Sequence, residues 1–410
     1  MPRPSTLSPT IKRVLEGELC TGCGLCAGIS NGSIVMETVA PGYARPLQSA
    51  PIADETESII ASTCPGNVVE PWPAGANTHP YWGGWRQILT GAATDDEVCH
   101  EGSSGGVISA LLIHALETGV VDRVLHIAAD PTDPTRNVTA TSRTREDVLA
   151  RAGSRYTASS PLQAIETALA EGGAFAFVGK PCDVSALRRL ARSDPRVEQH
   201  VPLAISFFCG GIPSHDGVGR ILAALGVDAE AVREFRFRGR GWPGNCVAVT
   251  DEGSASMTYA ESWGGHLSKE VQFRCKICPD AVGGVADIAC ADAWYGDDAG
   301  YPSFAEQEGR SLIISRTESG ERMLNAAIQA DAVRVAPLAV GEVEKMQPSQ
   351  ARRKRLVLAR TAALPILLQP RPKMAGLRVA EAARRSPVGE SLRNLVGTLR
   401  RTLTGARSRL

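Results

Sequence analysis

The sequence contains no run of 18 consecutive apolar residues, so no helix read from it spans a membrane. Its opening stretch, MPRPSTLSPTIKRVLEGELC, lacks the apolar core of a secretory signal. No GxGxxG stands between a strand and a helix, so the dinucleotide fingerprint is absent. No Lys-Ser/Thr completes a P-loop. The seven histidines show no metal-binding spacing. Net charge is lacking too: Lys plus Arg and Asp plus Glu are 44 each, and nucleic acid is not expected as a partner. No internal repeat is visible. What remains is an ordinary globular composition over 410 residues, enough for two or three domains and a sizeable core.

Cysteine is abundant instead, with 11 in the chain. Cys20, Cys23 and Cys26 stand in CTGCGLC, and Cys64 follows in a Cys-Pro-Gly step. Two-residue gaps let successive thiolates reach neighbouring irons of one cube, and Cys-Pro is a bacterial ferredoxin ending. Paired Cys-x2-Cys also suits tetrahedral zinc, but zinc more often takes two cysteines from each of two knuckles. Three cysteines at two equal gaps favour a [4Fe–4S] cluster on Cys20, Cys23, Cys26 and Cys64.

A second set is open on spacing alone. Cys275 and Cys278 in CKICPD form one knuckle that needs two more ligands. Cys182 and Cys209 are candidates because each ends an apolar strand-like run, and strand ends gather at the functional edge of an α/β sheet. Cys99, Cys246 and Cys290 read as buried or semi-buried thiols. Such a cysteine set fits a reducing cytoplasm better than a disulfide scaffold.

The rest reads as mixed α/β. Residues 1–70 form a small ferredoxin-like module, and the Pro/Gly/Trp-rich stretch 71–85 reads as a linker. Strands alternate with helices across 86–160 and 161–345, which suggests a mostly parallel sheet. From about Ala231 the texture turns antiparallel. The stretch 346–410 is a basic helical tail. From Ala351 to Leu410 it carries 15 Lys and Arg against two Glu, a net +13. Such asymmetry suggests a partner or surface of its own. Ser391–Thr404 is a basic amphipathic helix. It either caps the protein body or makes weak contact with an anionic membrane surface.

Several other residues are candidates for a ligand site. Ser103, Ser104, Gly105 and Gly106 open a helix, where backbone N–H groups and the helix dipole favour a phosphate. Ser154, Arg155 and Tyr156 offer a cation and an aromatic ring for a phosphate or a ring system. Arg236, Arg238 and Arg240 alternate on a strand face, which suits an anion. His100, just before the Gly/Ser loop, is a candidate proton donor. His114 and His126 sit in apolar segments and read as core. Asp287 and Asp292 flank a strand and could cap a helix or orient a ligand.

Together, CTGCGLC, CPG, GSSGGVISALL, GSRYTASS, FVGKPCDVSALRRL, ISFFCGGIPS, FRFRGRGWPG, CKICPD and ADIACADAW make the chain resemble the coenzyme F420 hydrogenase/dehydrogenase beta-subunit family. They run in family order over roughly residues 15–315. The family also holds 7-hydroxymethyl chlorophyll a reductase and ferredoxin-dependent divinyl chlorophyllide reductase. The resemblance implies FAD on the α/β domain, one [4Fe–4S] cluster in the N-terminal module, and a second on Cys182, Cys209, Cys275 and Cys278. It implies that the Ser103–Gly106 turn and the Gly153–Tyr156 loop line the flavin. Lys180 stands where the family has a small residue, adding a cation near the cluster or the flavin phosphates. Asp292 follows Cys290-Ala291 where Gly-Asp is usual, which puts its role in doubt. The expected function is electron transfer from a ferredoxin-like donor through both clusters to FAD and an organic acceptor. The alternatives are an F420-linked electron-transfer subunit working with a partner oxidoreductase subunit, and a tetrapyrrole reductase.

Overall fold

The computed structural model describes residues 7–75, 77–296 and 302–407. Its frame is made by β1 (Gln87–Ala93), β2 (Arg123–Ala129), β3 (Asn137–Ser142), β4 (Phe175–Val178), β5 (Leu203–Phe207), β6 (Ile288–Asp292), β7 (Ser311–Ser315) and β8 (Val333–Pro337). These strands make one eight-stranded sheet in the order β8-β1-β7-β6-β5-β4-β2-β3. β2, β4, β5 and β6 are parallel neighbours at the centre, and antiparallel strands flank them on both sides. The expected boundary near residue 160 does not divide this sheet, since β2 pairs β4 and β1 pairs β7.

Successive residues of a strand point to opposite faces, and the two cores follow that period. Leu125, Phe175, Phe177, Ala204, Leu312 and Ile314 enter one core, together with helix α2 (Pro181–Leu190). Val124, Ala176, Leu203, Ile205 and Ile313 enter the other, together with helix α1 (Val107–Glu117). α1 is apolar almost all round because it packs between the sheet and its neighbours.

The N-terminal part carries helices Pro9–Glu16, Leu25–Gly28 and Asp54–Thr63 and a hairpin of Ile34–Val39 with Tyr43–Gln48. It is fixed to the sheet domain: Leu162 N donates to Cys23 O at 3.0 Å, and His215 N donates to Gly42 O at 3.1 Å. Residues 234–257 make a three-stranded antiparallel unit, as the change of texture suggests.

Two expectations need correction. The stretch 71–85 is not a solvated linker, because Trp72, Tyr81 and Trp82 are buried in the main core. The basic tail, whose charge asymmetry suggests a surface of its own, packs largely on the body. Helix α3 (Pro348–Ile366) buries Ala351, Leu356, Val357 and Leu364, and much of its charge turns inward. Arg353 donates to Cys209 O, Lys354 to Pro279 O and Arg360 to Lys276 O. The final helix α4 (Val388–Leu403) rests on α3.

Candidate functional site

The C-terminal ends of the four parallel strands open on one cavity. Its floor holds Ile127 from β2, Val178 from β4, Phe207 from β5 and Cys290 from β6. This is where α/β sheets place ligands, because helix N-termini and the loops after parallel strands converge there.

One wall is the turn into α1. Gly106 is its N-cap in the left-handed region, at φ 69°. A Cβ there would come within 2.3 Å of Val98 O, so only glycine lets the turn lie against helix Asp96–Glu101. The first bond of the α1 ladder runs from Ala110 N to Gly106 O. The N–H groups of Val107, Ile108 and Ser109 therefore have no carbonyl inside the helix, and all three residues line the cavity. Ser103 and Ser104 line it as well. Ser103 Oγ accepts from Ser154 N at 2.5 Å, which ties the turn to the second expected loop. Gly105, by contrast, is not on the cavity wall and lies against Gly309.

Ser154, Arg155 and Tyr156 also face the cavity. Arg155 is not an open phosphate clamp. Its guanidinium donates to Asn137 Oδ1 and to the carbonyls of Phe235, Pro134 and Arg136 at 2.7–2.9 Å. Four of its five N–H groups thus hold the surrounding loops together.

The arginine row is likewise rearranged. Only Arg236 of the three lies in a strand, Glu234–Arg236. Arg236 and Arg240 both pair with Glu101, so neither offers an open anion site. Arg238 alone turns into the cavity, where it meets Asp292 bidentately at 2.9 and 2.8 Å. Burial works against its charge, and the Asp292 carboxylate overrides that and keeps the guanidinium protonated. Trp242 Nε1 also donates to Asp292, at 2.7 Å. Asp292 thus faces the cavity in place, although the residues before it differ from the family pattern. Asp287 is structural. It accepts from Ala204 N and Thr317 Oγ1 and pairs with Arg188.

His100 lies on the exposed side of helix Asp96–Glu101 and is absent from the cavity wall, which removes the ground for its expected proton-donor role. His126 lines the cavity instead. Its Nε2 lies 2.8 Å from Ser142 Oγ, which also accepts from Arg151 at 2.8 Å. Burial, then the Arg151 charge, pushes the His126 pKa down to about 4, so the imidazole is neutral near pH 7. The sequence signal was its place on the β2 face shared with Val124 and Ala128, which turns toward α1.

Lys180 is the hinge of the whole site. It is the N-cap of α2, is buried, and lines both this cavity and a smaller one beside it. Its Nζ lies 2.8 Å from Asp183 Oδ2 and donates to Ser159 Oγ at 2.8 Å. Burial opposes the charge, but Asp183 and then Cys182 outweigh it, so the amine stays protonated.

The smaller cavity is bounded by Cys182, Cys209, Cys275 and Cys278, the second expected ligand set. Cys182 comes from the first turn of α2, Cys209 from just beyond β5, and the other two from the Phe273–Lys276 turn and its end. Ile212 N donates to Cys275 Sγ at 3.4 Å, as does Gln272 Nε2 at 3.5 Å. Burial, then Cys275, raises the Cys209 thiol to about 12, and burial raises Cys278. Thiols raised in this way become thiolates only when a cationic group lies beside them. Two polar atoms, Thr21 Oγ1 and one Arg274 terminal nitrogen, are buried without a hydrogen-bond partner among the described residues, and both residues line this cavity.

The first set also converges. Cys20, Cys23, Cys26 and Cys64 lie within electrostatic reach of one another. Burial, then Cys20, raises Cys64 to about 11. Gly24, at φ 85°, lets the CTGCGLC loop lie on Ser160 and Gln163. The two sets are neighbours. Arg274 donates twice to Pro65 O, next to Cys64, while its remaining end faces the second set. Asp183 stands within electrostatic reach of Cys23. Among the described residues no three His, Cys, Asp or Glu converge as for a single metal ion. The remaining thiols are as expected, with Cys246 and Cys290 buried and Cys99 half-buried.

Two family models match the chain. Coenzyme F420 hydrogenase/dehydrogenase beta subunit N-terminus covers residues 88–166, and the corresponding C terminus covers residues 173–341. The chain is 27% identical to a coenzyme F420 hydrogenase subunit beta of Methanococcus voltae, over 61% of this chain and 83% of that one. It is also 27% identical to a coenzyme F420-dependent sulfite reductase of Methanocaldococcus jannaschii, over 62% of this chain and 38% of the relative. A 7-hydroxymethyl chlorophyll a reductase of Oryza sativa is 22% identical over 54% of this chain and 45% of its own length. Among solved structures, a chain of the F420-reducing [NiFe] hydrogenase complex of Methanosarcina barkeri shares the fold. Its TM-score is 0.56 at 21% identity, covering 72% of this chain and 98% of that one.

Proposed function

The chain belongs to the coenzyme F420 hydrogenase/dehydrogenase beta-subunit family, a family of oxidoreductase subunits, and from that premise we propose that it is an iron–sulfur flavoprotein. It would carry electrons from a ferredoxin-like donor or partner oxidoreductase subunit, by way of two [4Fe–4S] clusters and FAD, to an organic acceptor. The clusters supply one-electron steps, and the flavin joins these to two-electron chemistry.

One observation carries this reading: the buried Lys180 lines both the cavity at the strand ends and the four-cysteine cavity. A flavin in the first and a cluster in the second would be neighbours, since Cys209, Gly211 and Ile212 line both cavities as well. The residues fit those groups. The N–H groups of Val107–Ser109 suit a pyrophosphate. The carboxylates of Asp183 and Asp292 are each taken by a cation, so neither repels one. Lys180, Arg274 and Arg353 around the second set offset thiolate charge. N–H bonds to Cys275 Sγ are of the kind that tune cluster potentials.

A second reading takes reduced F420 itself as hydride partner. The several relatives named for F420 favour it. The experiment that tests the main reading is anaerobic purification with iron, zinc and flavin analysis. About eight irons per chain and FAD are expected. Cys23→Ala should remove half the iron and keep FAD. Cys278→Ala should remove the other half and loosen FAD. Zinc at both sites, or full iron in both variants, overturns it.

A further inference from the structure

Helix α4 is amphipathic, but it sits on the protein the wrong way round for a capping helix. Val388, Leu392, Leu395, Val396, Leu399 and Leu403 fall within an arc of about 100° at 3.6 residues per turn. Most of that arc faces outward, with Leu395 and Leu399 half-buried on its inner side. Val388 is 75% exposed, Leu392 54%, Val396 60% and Leu403 72%. The opposite, polar face holds the helix down. Arg352 donates to Glu390 Oε1 at 2.6 Å, Arg360 donates to Asn394 Oδ1 at 3.0 Å, and Thr398 is buried. A surface helix normally buries its apolar stripe and shows its charges, so this inverted seating leaves an apolar face about 24 Å long, at 1.5 Å per residue, open to solvent.

The patch extends beyond the helix. Arg407, just past α4, donates to Gln369, so the turn that ends α3 lies beside the end of α4. In that turn Ile366 is 63% exposed and Leu368 is 93% exposed. The rim is cationic. Arg393 and Arg400 flank the apolar arc, and Arg384 is exposed a turn before it. No unpaired carboxylate of the same stretch answers them among the described residues. The only acids from Ala351 to Leu410 are Glu381 and Glu390, and both are paired, with Arg378 and Arg352.

From this arrangement we propose that α4 is a membrane-surface contact: its apolar stripe enters the acyl boundary of an anionic bilayer while Arg393 and Arg400 meet lipid phosphates. A helix lying in the interface needs an apolar stripe and a polar face rich in basic residues, and long arginine side chains reach the headgroups from a half-submerged helix. A protein partner would also cover apolar surface. The cationic rim without any opposing acid is what selects an anionic surface.

Flotation of the full-length protein with vesicles tests it. Vesicles with about a third phosphatidylserine in phosphatidylcholine should carry the protein at low salt and much less at high salt, and pure phosphatidylcholine should carry little. The double substitution Leu392→Asp, Val396→Asp changes only exposed positions and should abolish flotation while the absorption spectrum is unchanged. Arg393→Ala with Arg400→Ala should weaken vesicle binding about thirtyfold, at about one kcal/mol for each arginine. Wild-type protein that stays unbound at low salt, or an aspartate variant that floats equally well, overturns the proposal. So does a wild-type dimer that the aspartate variant turns into a monomer without any flotation, because the face is then a contact between copies.

Discussion

At the scale of single residues, the cavity is held by side chains whose charges are already answered. Arg238 meets Asp292, Lys180 meets Asp183, and Arg155 is committed to carbonyls. His126 differs, since it is a titratable group kept neutral by burial beside Arg151. Its folded pKa of about 4 lies below the ordinary 6.5. The unfolded chain therefore binds more protons between those values, and stability rises with pH through that window. The contribution is fully present above about pH 6.5 and is lost as pH falls toward 4. Its size is roughly 3 kcal/mol from the width of the window. His126→Gln should flatten the melting temperature between pH 6.5 and 4.5, where the wild type falls with acidification. A variant with the same acid-side slope as the wild type would show that other groups set it.

At the scale of elements, α3 and α4 behave differently although the sequence gives both the same basic character. α3 places Leu356, Val357 and Leu364 in the core, while α4 contributes only a polar contact face. A chain ending after Gln347 should therefore be insoluble or melt many degrees lower. A chain ending after Ser386 should stay folded, with iron and flavin as in the full protein. Expression yield and thermal melting of the two truncations check this, and a stable chain lacking α3 would contradict it. The same contrast shows what a sequence can reveal. Helical spacing marked α4, and apolar runs marked β4 and β5, because local pattern records where apolar residues recur. Spacing marked Cys20, Cys23, Cys26 and Cys64 as one set and Cys275 with Cys278 as a knuckle, whereas Cys182 and Cys209, candidates as strand ends, joined that knuckle through the family resemblance. Pattern does not record what an apolar face meets. Trp72, Tyr81 and Trp82 looked like linker and are core, and the stripe of α4 looked inward and faces solvent. Likewise Arg236, Arg238 and Arg240 looked equivalent in sequence. Only the partners brought by distant segments, Glu101 and Asp292, separate them.

At the scale of the whole molecule, the two cysteine sets and the cavity form one line through the fold. The N-terminal set abuts Asp183 and Arg274, the second set abuts Lys180, and Lys180 opens on the cavity. On the proposed reading, that adjacency would give electrons arriving singly a route from the N-terminal side inward. Hydride from a nicotinamide would instead need its own site against the ring in the cavity, and the one G-x-G-x-x-G, Gly239 to Gly244, leads into strand Cys246–Thr250 instead of opening a helix. We therefore expect reduced ferredoxin, or dithionite with a viologen, to bleach the flavin absorption rapidly, and NADH or NADPH to do so slowly or not at all. Cys23→Ala separates the entrances. It should abolish ferredoxin-driven bleaching, while reduced F420, if it is a partner, should still bleach the flavin because it meets the cavity directly. Stopped-flow absorbance with each donor resolves these cases. Rapid bleaching of the wild type by NADPH would replace the single-electron entrance with a nicotinamide site at the cavity and leave the N-terminal cysteine set without a role in reduction.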